Sequence, residues 1–272
     1  MTLSKHVLFL KTGIILTAVV VSAFTFISWR ILPFYPELCE KAAFKSSVFF
    51  LSFKTYPYIS YITALLSLVY TLVFQVMILY FFEKTQSVEV RFLNAFVFSL
   101  AFESARMVLP IMQLMTLPLF YFAIAGRVLL FGRFFGAFSI FAASLCVGGF
   151  KNKKEEQIFL TIAIVALLFS LQIPIDVLSW STSLVPRSGF HVMLDVIEFC
   201  IVIISFVNFF MGSITRKTRE YFYAGCGIFT AYMGSKLLVS ADLIIPAIFG
   251  FLLLCAGTWF SGIQFRRMYL WQ

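Results

Sequence analysis

The chain has 272 residues, 61% hydrophobic and 12% charged, with a formal net charge of +9 and a mean hydropathy of +0.98. Soluble domains carry about 25% charged residues, so an ordinary water-soluble globule is excluded and the bilayer is the solvent. The apolar residues gather in stretches of about 20, the length with which a helix crosses about 30 Å of hydrocarbon. Lipid offers the backbone no hydrogen bonds, so these spans are helices.

The first apolar run follows Lys5 and Lys11 and continues to Leu32, with no small-residue cleavage site before Trp29 and Arg30. It reads as a retained helix rather than a signal peptide. The next loop contains PELCEKAAFKSSVFFLSF, where Pro36 suits a helix start and Glu37 and Lys41 lie four apart ahead of an aromatic end. An interfacial helix over about 36–53, flat on the outer surface, is the expectation. Further spans are placed at 58–82, 92–114, 118–142, 157–180, 189–213, 222–240 and 243–264, giving eight in an all-α bundle that forms a single transmembrane domain over 1–272.

Basic residues set the orientation. One side collects twelve: Lys5, Lys11, Lys84, Arg91, Lys151, Lys153, Lys154, Arg216, Lys217, Arg219, Arg266 and Arg267. The other collects six: Arg30, Lys41, Lys45, Lys54, Arg187 and Lys236. Both termini are expected in the cytoplasm, and Trp29, Trp180 and Trp259 fall near span ends as interfacial anchors do. Topology thus accounts for the positive charge, and KNKKEE and TRKTRE need no nucleic acid as partner. Without a glycosylation sequon, lipidation motif or retention signal, a bacterial cytoplasmic membrane is the expected location. The five cysteines form no CxxC pair, and small hydrophobic roles suit them.

No loop is long enough for a kinase, nucleotide-binding or cyclase domain. Any energy or output therefore comes from a gradient or a separate chain. Attention falls on ionisable residues at membrane depth. In FLNAFVFSLAFESARMVLPIMQL, a rise of about 1.5 Å per residue from Phe92 puts Glu103 and Arg106 about 17 and 21 Å into the slab. Three residues apart, they share a face and pair, which lowers the cost of either charge alone. Pro110 cannot donate to the carbonyl of Arg106, so a kink is expected there.

The fourth span carries Arg127 near mid-membrane and Arg133 nearer the cytoplasm, beside a small-residue stripe of Gly132, Gly136, Ser139 and Ala143 that permits close helix approach. The fifth ends with Pro174 and Asp176. The sixth opens with His191, Asp195 and Glu198, spaced four and three on one face and continued by Ser205. Four acids (Glu103, Asp176, Asp195, Glu198) balance four bases (Arg106, Arg127, Arg133, Lys236).

Such a set supports a structural salt-bridge network or a polar cavity that binds a solute or relays protons. Of these residues, Glu103, Arg106, Arg127, Asp195, Glu198 and His191 are the leading ligand or proton-relay candidates, and Arg133, Asp176 and Lys236 are secondary. His6 is the only histidine besides His191 and lies far away near the N-terminus, so neither metal nor cofactor is expected. No nucleophile elbow, zinc-protease motif, Walker sequence or intramembrane-protease signature is present, and catalysis is not expected. The leading expectation is a carrier or binder of a small polar, anionic solute, with the arginines as counter-charges. The alternatives are a membrane-embedded sensor with a protein partner and a structural subunit of a membrane complex.

Overall fold

A computed structural model describes residues 3–31, 57–82, 87–114, 118–149, 155–180, 186–241 and 243–270. The expected interfacial helix over 36–53 and the basic residues at 151–154 lie outside this set. In chain order the elements are α1 (Leu3–Ile31), α2 (Pro57–Phe82), α3 (Val88–Ser99), a 3-10 segment (Leu100–Ser104), α4 (Ala105–Leu114), α5 (Leu119–Val147), α6 (Glu155–Gln172), a hairpin of β1 (Ile175–Trp180) and β2 (Pro186–Ser188), α7 (His191–Arg216), α8 (Glu220–Ser240) and α9 (Ile244–Leu270). Apart from the hairpin the fold is all-helical. Among the described residues four helical stretches are long and apolar enough to cross a membrane: Ile59–Phe82, Leu119–Val147, His191–Arg216 and Ile244–Met268. α1 and α6 carry the shorter apolar stretches Lys11–Phe26 and Glu156–Gln172.

Two expected spans are corrected. The helix expected to reach 180 ends at Gln172, because proline disfavours helical geometry in the residue before it and lacks an N–H. Beyond Pro174 the chain extends as β1, antiparallel to β2 with Ile175 opposite Ser188 and Asp176 opposite Arg187. The Gly189 N–H closes the hairpin onto the Pro174 carbonyl at 2.8 Å. The third span is also not one uninterrupted α-helix, since Leu100–Ser104 winds as a 3-10 helix between α3 and α4.

α5 is the central rod, packed by α3, α4 and the 3-10 segment, α6 and α7. Its glycines explain how closely α3 approaches: a methyl at Gly132 would meet Phe102 Cβ at 2.5 Å and the Ser99 carbonyl at 3.1 Å. The expected small-residue contact is therefore present, and its partner is the end of α3 with the 3-10 segment that bears Glu103.

Among the described elements α8 and α9 share the most extensive contact. Gly227 and Gly234, seven apart, face Gly250 and Gly257 with the same spacing, and backbone lies directly on backbone. A Cβ at Gly234 would lie 2.7 Å from the Gly250 carbonyl oxygen, and one at Gly257 would lie 2.6 Å from that of Gly227. With lipid as the competing apolar phase, such close van der Waals contact is what holds helices together. The Tyr70 and Thr258 hydroxyls then bond α2 to α9.

α7 attaches by one stripe. Glu198, Val202, Ser205, Phe209 and Gly212 are buried at spacings of four and three, while its remaining faces present exposed apolar residues such as Val196, Ile203 and Met211. A methyl at Gly212 would meet the Val147 side chain at 2.5 Å, which fixes the C-terminal end of α7 against α5. Nearby, Arg216 donates to the Tyr221 hydroxyl at 2.6 Å and to the Cys146 carbonyl at 2.9 Å.

Candidate functional site

Where the 3-10 segment, α4, α5, α7 and α8 meet, six ionisable side chains form one cluster. Glu103 sits at its centre. Its Oε2 lies 3.0 Å from Arg106 Nε, and its Oε1 accepts a hydrogen bond from Arg133 Nε at 3.4 Å. Arg106, fully buried, also donates from Nη1 to the Val239 carbonyl at 3.0 Å, tying α4 to the last turns of α8. The Val239 bond is charge-assisted, a kind about twice as strong as a neutral one, and the Glu103 contact adds an ion pair.

The second half of the cluster joins α7 to α8. Lys236 pairs with the buried Glu198 and lies 3.4 Å from Asp195. The Tyr232 hydroxyl, one turn before Lys236 on α8, donates to Glu198 Oε2 at 3.5 Å. Arg133 lies within electrostatic reach of Glu198 and Asp195 as well as Glu103, so it links the two halves. The cluster therefore contains three acids, Glu103, Asp195 and Glu198, and three bases, Arg106, Arg133 and Lys236.

Between the halves is a cavity of about 30 Å³ lined by Ser99, Glu103, Arg133, Glu198, Tyr232, Ser235 and Lys236, with Gly132 and Gly136 forming part of its wall. A water needs roughly 10–15 Å³ by this measure, so the space fits about two. The polar side chains supply the partners that such waters require, and Phe96, Leu100, Ala137 and Val239 complete the lining. Access is graded: the Asp195 side chain is 63% exposed and that of Lys236 28%, whereas Glu198 and Arg106 are buried. Neither Asp195 nor Arg106 lines the cavity itself; each is joined to it through a lining residue, Asp195 through Lys236 and Arg106 through Glu103.

Several sequence expectations change here. Glu103, Arg106 and Glu198 converge inside the bundle. Arg127 does not; its side chain is exposed on α5. Six residues separate it from Arg133, which turns the two roughly 120° apart around the helix, so only one can face Glu103, and Arg133 takes that place. Asp195 is expected inside but stands at the rim. His191 is exposed at the first position of α7, and Asp176 is exposed on β1. Among the described residues no group of three or more His, Cys, Asp or Glu is arranged to hold a metal ion. Tyr232 and Ser235 were not singled out by sequence reasoning, although Tyr232 stands four residues before Lys236 on the same helix face.

What the arrangement can do follows from charge. A proton on Glu198 or Glu103 removes a counter-charge of Lys236 or Arg133, and only a small anion would then restore neutrality. No known protein family, curated protein or solved structure matches the chain.

Proposed function

We propose that this is a multi-pass membrane carrier in which the six-charge cluster binds a small anion in step with a proton. The chain crosses the bilayer eight times with both termini in the cytoplasm of a bacterial cell. The asymmetry of basic residues supports that topology. So do the lengths of α6 and α8, whose 18 and 21 residues extend about 27 and 32 Å at the helical rise. The observation that carries the functional reading is the cavity itself, lined by two acids and two bases whose charges cancel, with the exposed Asp195 beside Lys236. Its size narrows the substrate to an inorganic anion that replaces about two waters, rather than a larger metabolite. Glu198 carries the proton, Arg133 and Lys236 hold the anion, and Asp195 passes the proton from the rim. In a purely structural network every charge would serve packing alone and no ion would exchange. The test is proteoliposome flux: under an imposed pH gradient, chloride or nitrate should move with protons, and Arg133→Gln and Glu198→Gln proteins that fold normally should lose that flux. Absence of anion-coupled proton movement in the folded wild type would leave the structural reading in its place.

A further inference from the structure

A second cavity, of about 250 Å³, lies between α1, α2, α3 and α6, separate from the charge cluster. Its lining contains no charged side chain. Leu16, Ala95, Phe98 and Phe159 make most of it apolar, and the Thr12 hydroxyl and two amides interrupt that surface. Gln75, 1% exposed, and Asn94, 6% exposed, each leave one polar atom without a hydrogen-bond partner, the Gln75 Nε2 and the Asn94 Oδ1. Gln75 Oε1 is already engaged by the Thr17 hydroxyl at 2.8 Å. Turning that amide over would give the hydroxyl an N–H partner and leave the oxygen unmatched instead, so either orientation strands one atom. Buried amides without partners cost free energy. Both side chains line one space too large for a single water, while the unmatched donor and acceptor lie just behind its surface.

The position narrows the occupant. Asn94 lies six residues from the start of α3, Gln75 seven from the end of α2, and Phe159 four from the start of α6. At the helical rise these are about 6–11 Å from the ends of their helices that share one side of the bundle. That is the depth of lipid chains just below the headgroups. We propose that this cavity is a binding site for an uncharged amphiphile, with an aliphatic body against Leu16, Phe98 and Phe159 and a single hydroxyl head. A small turn of the two amides toward the space brings them to such a hydroxyl, which then accepts from Gln75 and donates to Asn94. A carboxylate or phosphate head finds no cation in the lining, and a pure hydrocarbon leaves both amides unmatched.

The experiment uses full-length protein in nanodiscs and a hexadecanol probe bearing a mid-chain diazirine, with crosslinks mapped by peptide mass spectrometry. Crosslinks should concentrate in the α1, α2, α3 and α6 peptides that line the cavity and should be competed by hexadecanol but not by hexadecane or palmitate. Each hydrogen bond contributes roughly fivefold in affinity, so the double variant Gln75→Leu, Asn94→Leu should need about 20–30 times more probe for equal labelling. Leu16→Trp, which fills the space from an exposed position, should abolish labelling and carries the test should the double variant fail to fold. Labelling spread evenly over the protein, equal competition by hexadecane, or unchanged labelling in Leu16→Trp would each overturn the proposal and leave the amides to water.

Discussion

Replacing Glu103 by glutamine keeps the side-chain shape and removes one negative charge that two guanidinium groups share. Arg106 is fully buried at 3.0 Å from that carboxylate and Arg133 is 18% exposed at 3.4 Å. Breaking a buried pair from one side costs about 3–5 kcal/mol, because the other charge stays desolvated. For Glu103→Gln the expected loss is about 4 kcal/mol, held near mid-range because Arg133 keeps Glu198 and Asp195 within reach. Arg106→Leu should cost about 3 kcal/mol, since Glu103 retains Arg133 as partner while the bond to the Val239 carbonyl is lost. If the two act independently the double variant loses about 7 kcal/mol. Coupled groups depart from additivity by about 0.5–3 kcal/mol, and removing both members of a pair leaves no stranded charge between them, so the double variant should lose only about 4–5 kcal/mol. Reversible unfolding by dodecyl sulfate in mixed micelles, followed by circular dichroism, measures all four corners of the cycle. Losses that sum to within about 0.5 kcal/mol would refute the shared-carboxylate account.

Other expectations follow from the same geometry. Gly234→Ala forces a methyl to within 2.7 Å of the Gly250 carbonyl and should destabilise by about 1–3 kcal/mol in the same assay, whereas Gly13→Ala, whose nearest neighbour would be 3.9 Å away, should not. Lys217 caps α7 with a left-handed φ of 55°, so Lys217→Gly should stabilise by about 1 kcal/mol in thermal or detergent unfolding. Arg127→Gln should leave folding and proton-coupled flux unchanged while Arg133→Gln eliminates the flux; equal effects would show that the exposed arginine also matters. Membrane-impermeant thiol reagents applied to intact cells should modify cysteines introduced near Lys45 and Arg187 but not near Lys153 or Lys217, and labelling at Lys153 would overturn the orientation.

Hydrophobic run length was enough to mark where most helices lie, because a bilayer demands about 20 apolar residues whatever their packing. The Glu103 and Arg106 pair was equally legible, since three-residue spacing fixes a shared face before any tertiary contact forms. The choice between Arg127 and Arg133 depends on which side of α5 meets α3. A signal for it was present: measured from the midpoint of Gly132 and Gly136, Arg127 lies roughly 160° around the helix and Arg133 roughly 80°. The glycine stripe marks the packed side and places Arg127 opposite. The α8 and α9 seam was overlooked because its glycines recur every seven residues rather than four. The break after Gln172 was foreshadowed by Pro174, but hydropathy continues through Ile175 and Trp180 and hides it. Pairings across helices, such as Arg106 with Val239 or Tyr232 with Glu198, have no local signature.

The 3-10 segment has a mechanical consequence for the helices on either side of it. Each of its five residues turns the chain about 120° instead of 100° and advances it about 2.0 Å instead of 1.5 Å. Over the segment this adds roughly 100° of rotation and about 2.5 Å of length relative to an uninterrupted α-helix. The face of α3 seated on α5 and the face of α4 that sends Arg106 to Val239 are therefore out of register by more than a quarter turn. Rewinding those five residues as α-helix would act like tightening a screw, drawing α4 inward and swinging Arg106 off its carbonyl. Every contact the arginine makes is thus geared to the pitch of one short stretch of backbone.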